Sequence, residues 1–563
     1  MIENTKFTAE LEKLMKKRTP ENRRCVFLTH DQLNVQLIPN SAENLKNIAV
    51  IFFENRWWAA RRPYHKMKLA CTWANQRQFA LELARNGAWV DYQFVNAPFG
   101  KLISDTLKKN PALEIIEPAE RELAQELKPF IDSSKMIVHP HAGWLTTAQQ
   151  FESSKTPKSG YLMDSFYRIV RKETGILMEP NGEYVGGKVS FDRDNRKPWI
   201  KGKDPEPPHW PKFQPDAISQ EVIETIEQEF SHHPGKLNPE QLPTTLNDAE
   251  AYWDFFVEKL LPNFGDYEDA MTTHSTALFH SKVSTLLNLT RLMPKQLIKD
   301  VENSIVPLNC REGFIRQILG WREFVRHIHR ETEGFRNLET TLTPVVDEPG
   351  DGGYKTWSGK NWNHSKNPPS LDGGSNASFL DSHESIPPAY WGATSGMNCL
   401  DSVVKNVWDE GWSHHITRLM VLSNIAALLD VSPRELTDWF WVAYSDAWDW
   451  VVEPNVMAMG TYGVGPLMTT KPYISGAAYI DKMSDYCGKC RFDPKNSCPI
   501  TKLYWAFLAR HQDKLESNPR LRMPYSSLKK RSSAKRKEDE DVFFSVKETL
   551  TKGESLANKD LFG

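Results

Sequence analysis

Between Arg24 and about residue 145, short β-rich apolar runs take turns with a helical pattern, and few architectures accept that alternation. The runs are CVFLTHDQL from Cys25, NIAVIFF from Asn47, WVDYQFV from Trp89 and KMIVHP from Lys135. Between them KMKLACTWANQRQFALELARNG is apolar at helical spacing and reaches Gly87, a residue suited to a helix C-cap. The pattern predicts an α/β N-terminal domain of Rossmann-like type over residues 24–150, built on a parallel sheet. Ligands of such sheets sit beyond the carboxyl ends of the strands. His30, Asp31 and Gln32 follow the first run there, and Glu54 and Asn55 follow the second. Neither G-x-G-x-x-G nor G-x-x-x-x-G-K-[ST] occurs, so an ordinary dinucleotide or P-loop site is excluded.

The remaining chain divides by composition. Residues 1–23 read as a polar helix or mobile lead, and residues 151–250, rich in proline and charge, as a long connection across the surface. Within that connection GGKVSFDRDNRKP sets Asp192 and Asp194 two apart in a Gly-flanked loop, as solvated carboxylates or as contacts to Mg2+ or substrate. From Ala251 to about 528 apolar residues recur at spacings of three and four, which predicts an all-α domain. SPRELTDWFWVAY carries Ser432 as N-cap, Pro433 at the first helical position and Glu435 at the third, a capping box. Residues 341–390, rich in Gly, Ser, Asn and Pro, read as loop. KKRSSAKRK followed by EDED, in 529–563, reads as a charged, solvated terminus.

The cysteine spacing is the sharpest chemical signal. Cys487 and Cys490 form a C-x2-C pair and Cys498 follows, so three thiolates can meet one metal centre within a single knuckle, with Cys399 the candidate fourth ligand. Sets of four thiolates hold zinc or an iron–sulfur cluster, and the alternative is buried free thiols with a disulfide. Cys25, Cys71 and Cys310 sit in apolar or helical patterns and read as core. With 70 basic and 72 acidic residues the chain lacks a strongly basic nucleic-acid coat, though not a local patch. No apolar run is long enough to span a bilayer and the N-terminus has no apolar signal core, so a soluble cytoplasmic protein is expected. Nineteen tryptophans suit core packing, or electron relay beside a redox centre.

Taken together and in order, DQL after the first strand, GGKVSFDRDNRKP, FGDYEDAM, LFHSKVSTLLNLTRL, FIRQILGWREFVR, GWSHHITRLM, DAWDWVVEPNVMAMG, KPYISGAAYI and the four cysteines resemble the cryptochrome/photolyase superfamily. Within it they are similar to the iron–sulfur bacterial cryptochromes and photolyases, a group that includes prokaryotic (6-4) photolyases. The resemblance runs from Asp31 to about Tyr525. It implies an α/β antenna domain and an all-helical domain holding a bent FAD.

The resemblance also implies roles. Ser281 and Ser284 match the FAD phosphate loop; Gln317, Trp321 and Arg322 match the helix bordering flavin and lesion; Arg418, Asp446, Glu453 and Asn455 match flavin neighbours. His414 and His415 match the catalytic pair, with His415 giving a proton to the lesion; a second histidine found four residues later in eukaryotic (6-4) enzymes is Leu419 here. Trp391 and Trp439 match the aromatic electron relay, but the residue beside the flavin, often Tyr, is Phe440, which leaves Trp441 or Trp448 as substitutes. Cys399, Cys487, Cys490 and Cys498 would hold a [4Fe-4S] cluster. Asp192 or Asp194 with Asp269 would hold Mg2+ near DNA phosphate, and Asp31 and Glu54 would touch a 6,7-dimethyl-8-ribityllumazine antenna. The implied activity is light-driven reversal of (6-4) photoproducts in UV-damaged DNA by a monomer, nucleoid-associated when bound. The alternative is a cryptochrome-type blue-light photoreceptor with the same cofactors.

Overall fold

The computed structural model describes residues 5–16, 18–39, 45–110, 112–155, 160–338 and 374–558. Helix α1 (Lys6–Met15) begins at a reciprocal Thr5–Thr8 capping box and buries Phe7, Leu11 and Met15, spaced four apart on one face. The lead is thus a packed helix, because Phe7 is an anchor: its ring meets Tyr92 and Phe94.

Five strands follow, β1 (Arg24–Phe27), β2 (Ile48–Asn55), β3 (Trp89–Val95), β4 (Leu113–Ile116) and β5 (Met136–His139), in one all-parallel sheet of order β3-β2-β1-β4-β5. β2 is buried along its whole length, as a doubly covered parallel strand should be. β4 is too short and too closely flanked by charge for its four residues to stand out in the sequence. The crossover helices are α2 (Lys66–Arg85), closed by Asn86 and by Gly87 at φ +101°, α3 (Phe99–Leu107) and α4 (Arg121–Asp132). Strand order reverses between β1 and β4, the position where a crevice forms. Here that crevice is filled: the Gln32 amide donates to Ile116 O at 3.1 Å and the His30 ring packs on Trp58 at 4.4 Å.

The connection over 151–250 is not loop throughout. It contains α5 (Met163–Thr174) and α6 (Ala217–Glu229), the second packed on α2. The helical domain includes α7 (Leu308–Ile315), which runs through a π-helical segment (Arg316–Arg322) into α8 (Glu323–Glu331), then α9 (Asn398–Glu410), α10 (Pro433–Ala443) and α11 (Pro499–Arg510). Ser432 caps α10 by accepting from the Glu435 N–H, but the Glu435 carboxylate accepts from Ile386 N–H and the Ser432 N–H donates to Glu384 O. The capping box is therefore only half formed. Of the expected loop at 341–390, residues 341–373 lie outside the described residues.

The expected solvated terminus is instead α12 (Ser533–Thr551), packed along α11. The charge blocks hid an apolar stripe of Val542, Phe543, Val546 and Leu550, all buried. Buried Asp539 is matched by Arg531 at 2.7 Å. The two domains are sewn together at the start of α4: its N-cap Glu120 makes no side-chain cap, and Asp449 of the helical domain accepts from the Arg121 N–H (2.6 Å) and Glu122 N–H (3.3 Å) in its place.

Candidate active site

Three π-helical segments converge on one cavity of about 300 Å³ in the helical domain. Arg316–Arg322 contributes Gln317, Ile318, Trp321 and Arg322; Thr417–Ser423 contributes Arg418, Leu419 and Ser423; Glu453–Gly460 contributes Asn455, Val456 and Met459. A wide π turn breaks the 3.6-residue register and turns extra side chains toward one point, which is why such turns gather at functional sites. Of the residues expected here, Ser281, Ser284, Gln317, Trp321, Arg322, His414, His415, Arg418, Asp446 and Asn455 all line this cavity.

One wall is a fixed polar network. Arg418 grips Asp446 bidentately at 3.0 and 2.8 Å, and Ser284 donates to the same carboxylate at 2.6 Å while accepting from the Trp412 indole at 3.2 Å. Ser284 opens a short helix after a loop in which Leu278 and Lys282 take positive φ, so the backbone there is bent around the cavity's edge.

Beside this network the cavity carries three histidines. His280 stacks on His414 at 4.5 Å and 12°, and His415 meets His280 at 5.4 Å. Their ligand atoms lie within 4.8 Å of one another. Burial, with His415 and Arg418 nearby, holds His280 down to about 3, and burial holds His414 far below the usual imidazole range. His415 differs in surroundings: its side chain is 41% exposed and its Nε2 lies 3.6 Å from Asp269 Oδ1. Burial alone would raise the Asp269 pKa, but His415 and Arg196 hold it below the usual carboxylate range. Nδ1 of His414, buried on the cavity wall, has no hydrogen-bond partner among the described residues, so a polar atom is left for a ligand. His280 escaped the sequence reading. Its only signal is its place one residue before Ser281.

Other expectations are corrected. Glu453 is fully buried on the far side of its helix, bound by Arg434 at 2.9 Å, His329 at 2.8 Å and Arg336 at 3.3 Å; it is not a cavity residue. The two guanidinium groups and the hydrogen bond with His329 hold its pKa far down despite burial. Glu54 is sealed in the core of the sheet domain by Arg77, with both contacts at 2.7 Å, and by Tyr92 OH, which leaves its carboxylate committed to the protein. Asp31 is buried beside Thr29 and His30, and burial raises its pKa. The expected Mg2+ ligands are neutralised by protein cations. Arg196 stands between Asp192 (2.5 Å) and Asp269 (3.6 Å), and Asp194 turns to Lys188 at 3.0 Å.

Cys399, Cys487, Cys490 and Cys498 line one small cavity between α9, a short turn and the start of α11, and all four are free thiols. Burial and neighbouring acidic groups and sulfurs push Cys487 and Cys498 up to about 12, so as thiolates the set needs a cation. Among the described residues the group of three or more ligand atoms mutually within 4.8 Å is the histidine trio, not these sulfurs. Four thiolates on one Zn2+ at about 2.3 Å would stand roughly 3.8 Å apart.

Trp391 and Trp439 do lie in one aromatic array, but Trp408 stands between them, and the sequence reading did not include it. Trp441 and Trp448 face the other domain, under Arg62 at 4.0 Å and Lys68 at 4.8 Å.

The chain is similar to known proteins in sequence and in shape. The family described as deoxyribodipyrimidine photo-lyase-related protein matches residues 26–242. A (6-4) photolyase of Agrobacterium fabrum is 32% identical over 521 residues, spanning 89% of this chain and 94% of that protein. A bacterial class III photolyase from Agrobacterium tumefaciens superposes with a TM-score of 0.52 at 13% identity, covering 95% of this chain and all of that one. A Synechocystis cryptochrome superposes at 0.50, also at 13% identity, over 92% of this chain and 94% of its own.

Proposed function

The chain belongs to the cryptochrome/photolyase superfamily, and from that premise we propose that it is a DNA photolyase that reverses (6-4) photoproducts, with FAD in the π-lined cavity. The observation that carries this reading is the asymmetry of the histidine group, two buried and neutral, one half exposed and facing a carboxylate. When bound, reduced and excited by blue light, FAD supplies the electron that the lesion needs and takes it back after the bonds rearrange.

The protein's own work is placement and proton supply. Ser281, the backbone around Lys282 and the Ser284–Asp446–Arg418 network suit the polar part of FAD; Asn455 and Gln317 offer amides to the ring system and to the lesion. An electron added to a base creates charge that an acid must neutralise. Asp269 faces Nε2 of His415 and fixes the orientation of the ring, so Nδ1 is the atom turned from the carboxylate and the one to pass a proton to the lesion. His280 and His414, held neutral, do not compete as acids; His414 Nδ1 is left to bind. Trp321 and Leu419 narrow the cavity and exclude water from the flipped base.

The four cysteines are proposed as ligands of a [4Fe-4S] cluster that ties α9 to α11. The lumazine antenna finds no support at Asp31 or Glu54, nor Mg2+ at Asp192, Asp194 and Asp269. No helix among the described residues is long and apolar enough to cross a membrane. UV-damaged DNA is the proposed partner and a monomer the proposed state.

The test is light-dependent turnover of a synthetic (6-4) thymine–thymine oligonucleotide by chemically reduced protein, with His415→Ala as control. Restored thymines, lost in the dark and in the variant, are expected. An intact lesion despite bound, reduced FAD would move the protein to the photoreceptor class.

A further inference from the structure

Three imidazoles meet on one side of the cavity, and the hydrogen bonds around them decide which ring nitrogens stay open. His280 Nε2 lies 3.1 Å from the Glu268 carbonyl. A carbonyl only accepts, so a neutral His280 donates there from Nε2 and keeps its lone pair on Nδ1. His415 sets Nε2 toward Asp269 at 3.6 Å, which leaves its Nδ1 turned from the carboxylate. His414 Nδ1 is buried with no hydrogen-bond partner among the described residues. One nitrogen from each ring lies within 4.8 Å of the other two. Burial holds His280 and His414 far below the usual imidazole range, so both rings keep a lone pair free of protons at neutral pH.

We propose that His280, His414 and His415 form a binding site for one divalent transition-metal cation of the Zn2+ class, and that the bound cation blocks repair. The metal site stands on the histidines alone; the block rests on the repair reading above. Imidazole nitrogen suits Zn2+, Cu2+ and Ni2+, whereas Mg2+ and Ca2+ take oxygen ligands. Three histidines with a fourth position open to water make a tetrahedral set that Zn2+ accepts. At about 2.1 Å from such a metal, neighbouring nitrogens stand roughly 3.4 Å apart, so rings whose nitrogens lie within 4.8 Å have little distance to close. His415, half exposed, has the freedom to close it, while His280 and His414 are buried and set the frame.

The surroundings match a ligand set. Metal-binding histidines give their second N–H to a carbonyl or a carboxylate, which fixes the ring and makes the lone pair more basic. Two consecutive residues supply both here, Glu268 through its carbonyl and Asp269 through its side chain. Asp269 is itself held by Tyr479 OH, which donates at 3.2 Å, and by Arg196 at 3.6 Å. Its charge offsets part of the cation's. The Arg418 guanidinium, which acts on both buried imidazoles, is already paired with Asp446 at 3.0 and 2.8 Å. Binding moves no electrons between groups: the cation takes up three lone pairs, and any proton on Nδ1 of His415 passes to solvent. The atom that would hand a proton to the lesion then holds metal instead.

The experiment titrates FAD-loaded protein, cleared of loose metal with EDTA and desalted, with Zn2+ by calorimetry, and records X-ray absorption at the zinc edge. One equivalent with a nitrogen and oxygen shell and imidazole scattering is expected, and affinity should fall at least tenfold in His280→Gln and in His414→Gln. Asp269→Asn, which keeps all three rings, should weaken binding about 10- to 100-fold and leave the imidazole scattering in place. Repair turnover by reduced wild type should fall in step with the bound equivalent and return with EDTA, whereas the same concentration of Mg2+ should not lower it. A sulfur shell, or affinity unchanged in both histidine variants, overturns the site. If a variant loses FAD, the zinc-edge spectrum of the wild type decides by itself. Zinc held by the histidines with undiminished repair overturns the block. Absence of repair by metal-free, reduced wild type overturns the repair reading, while calorimetry and the zinc-edge spectrum still decide the site.

Discussion

His415 and His414 are neighbours in sequence and opposites in environment, and the difference is burial. Replacing His415 by Asn should lower repair turnover by about 10²- to 10⁴-fold, the range of a lost general acid. FAD content, read from the flavin spectrum, should not change. Glu453 makes the reverse case, a residue that family likeness sets beside the flavin and that two arginines and His329 claim instead. Glu453→Gln should leave the bound-flavin spectrum unaltered yet cost about 1–3 kcal/mol in denaturant unfolding, because it removes the carboxylate shared by Arg434 and Arg336 while Asp438 still pairs Arg434. Residue types and order were enough to gather ten of the cavity's residues, since each sits in a motif. They could not reveal His280, which shares a motif with Ser281 and Ser284 but carries no spacing signal of its own, or Trp408, whose meaning appears only once α9 lays it between Trp391 and Trp439.

Elements were legible where period and caps agreed. β1, β2, β3, β5, α2 and the start of α10 follow directly from alternation, Gly87 and Ser432–Pro433. β4 and the π segments did not, the first for brevity, the others because a single wide turn shifts register without changing composition. α12 was obscured by charge: KRKEDED outweighs the four apolar residues that dock it. Phe543→Ala should therefore destabilise the protein by about 3–4 kcal/mol, seen as a shifted urea midpoint, since it empties a buried site under Arg510. Cys399 lies in the first turn of α9 and Cys498 caps α11. Cys399→Ser should abolish iron content and lower the melting temperature, because the proposed cluster is the covalent tie between those helices.

At the scale of the whole molecule, the seam between domains is electrostatic as well as apolar. Glu122 lies between Arg61 (2.9 Å) and Arg62 (2.6 Å), and Arg62 reaches across to Trp441. Burial would raise the Glu122 pKa, but the two guanidinium groups bring it to about 2. Folding therefore gains from its charge fully above pH 4.5 and loses that gain as pH falls toward 2, on the order of 3 kcal/mol. Unfolding free energies measured from pH 6 down to 3 should fall less steeply in Glu122→Gln than in the wild type. The borrowed cap on α4 extends the same dependence to heat. Because Asp449 completes a helix that belongs to the other domain, the sheet domain does not hold the start of that helix alone, and scanning calorimetry should record a single endotherm. In Asp449→Ala the shoulder of a separately melting sheet domain should emerge ahead of it.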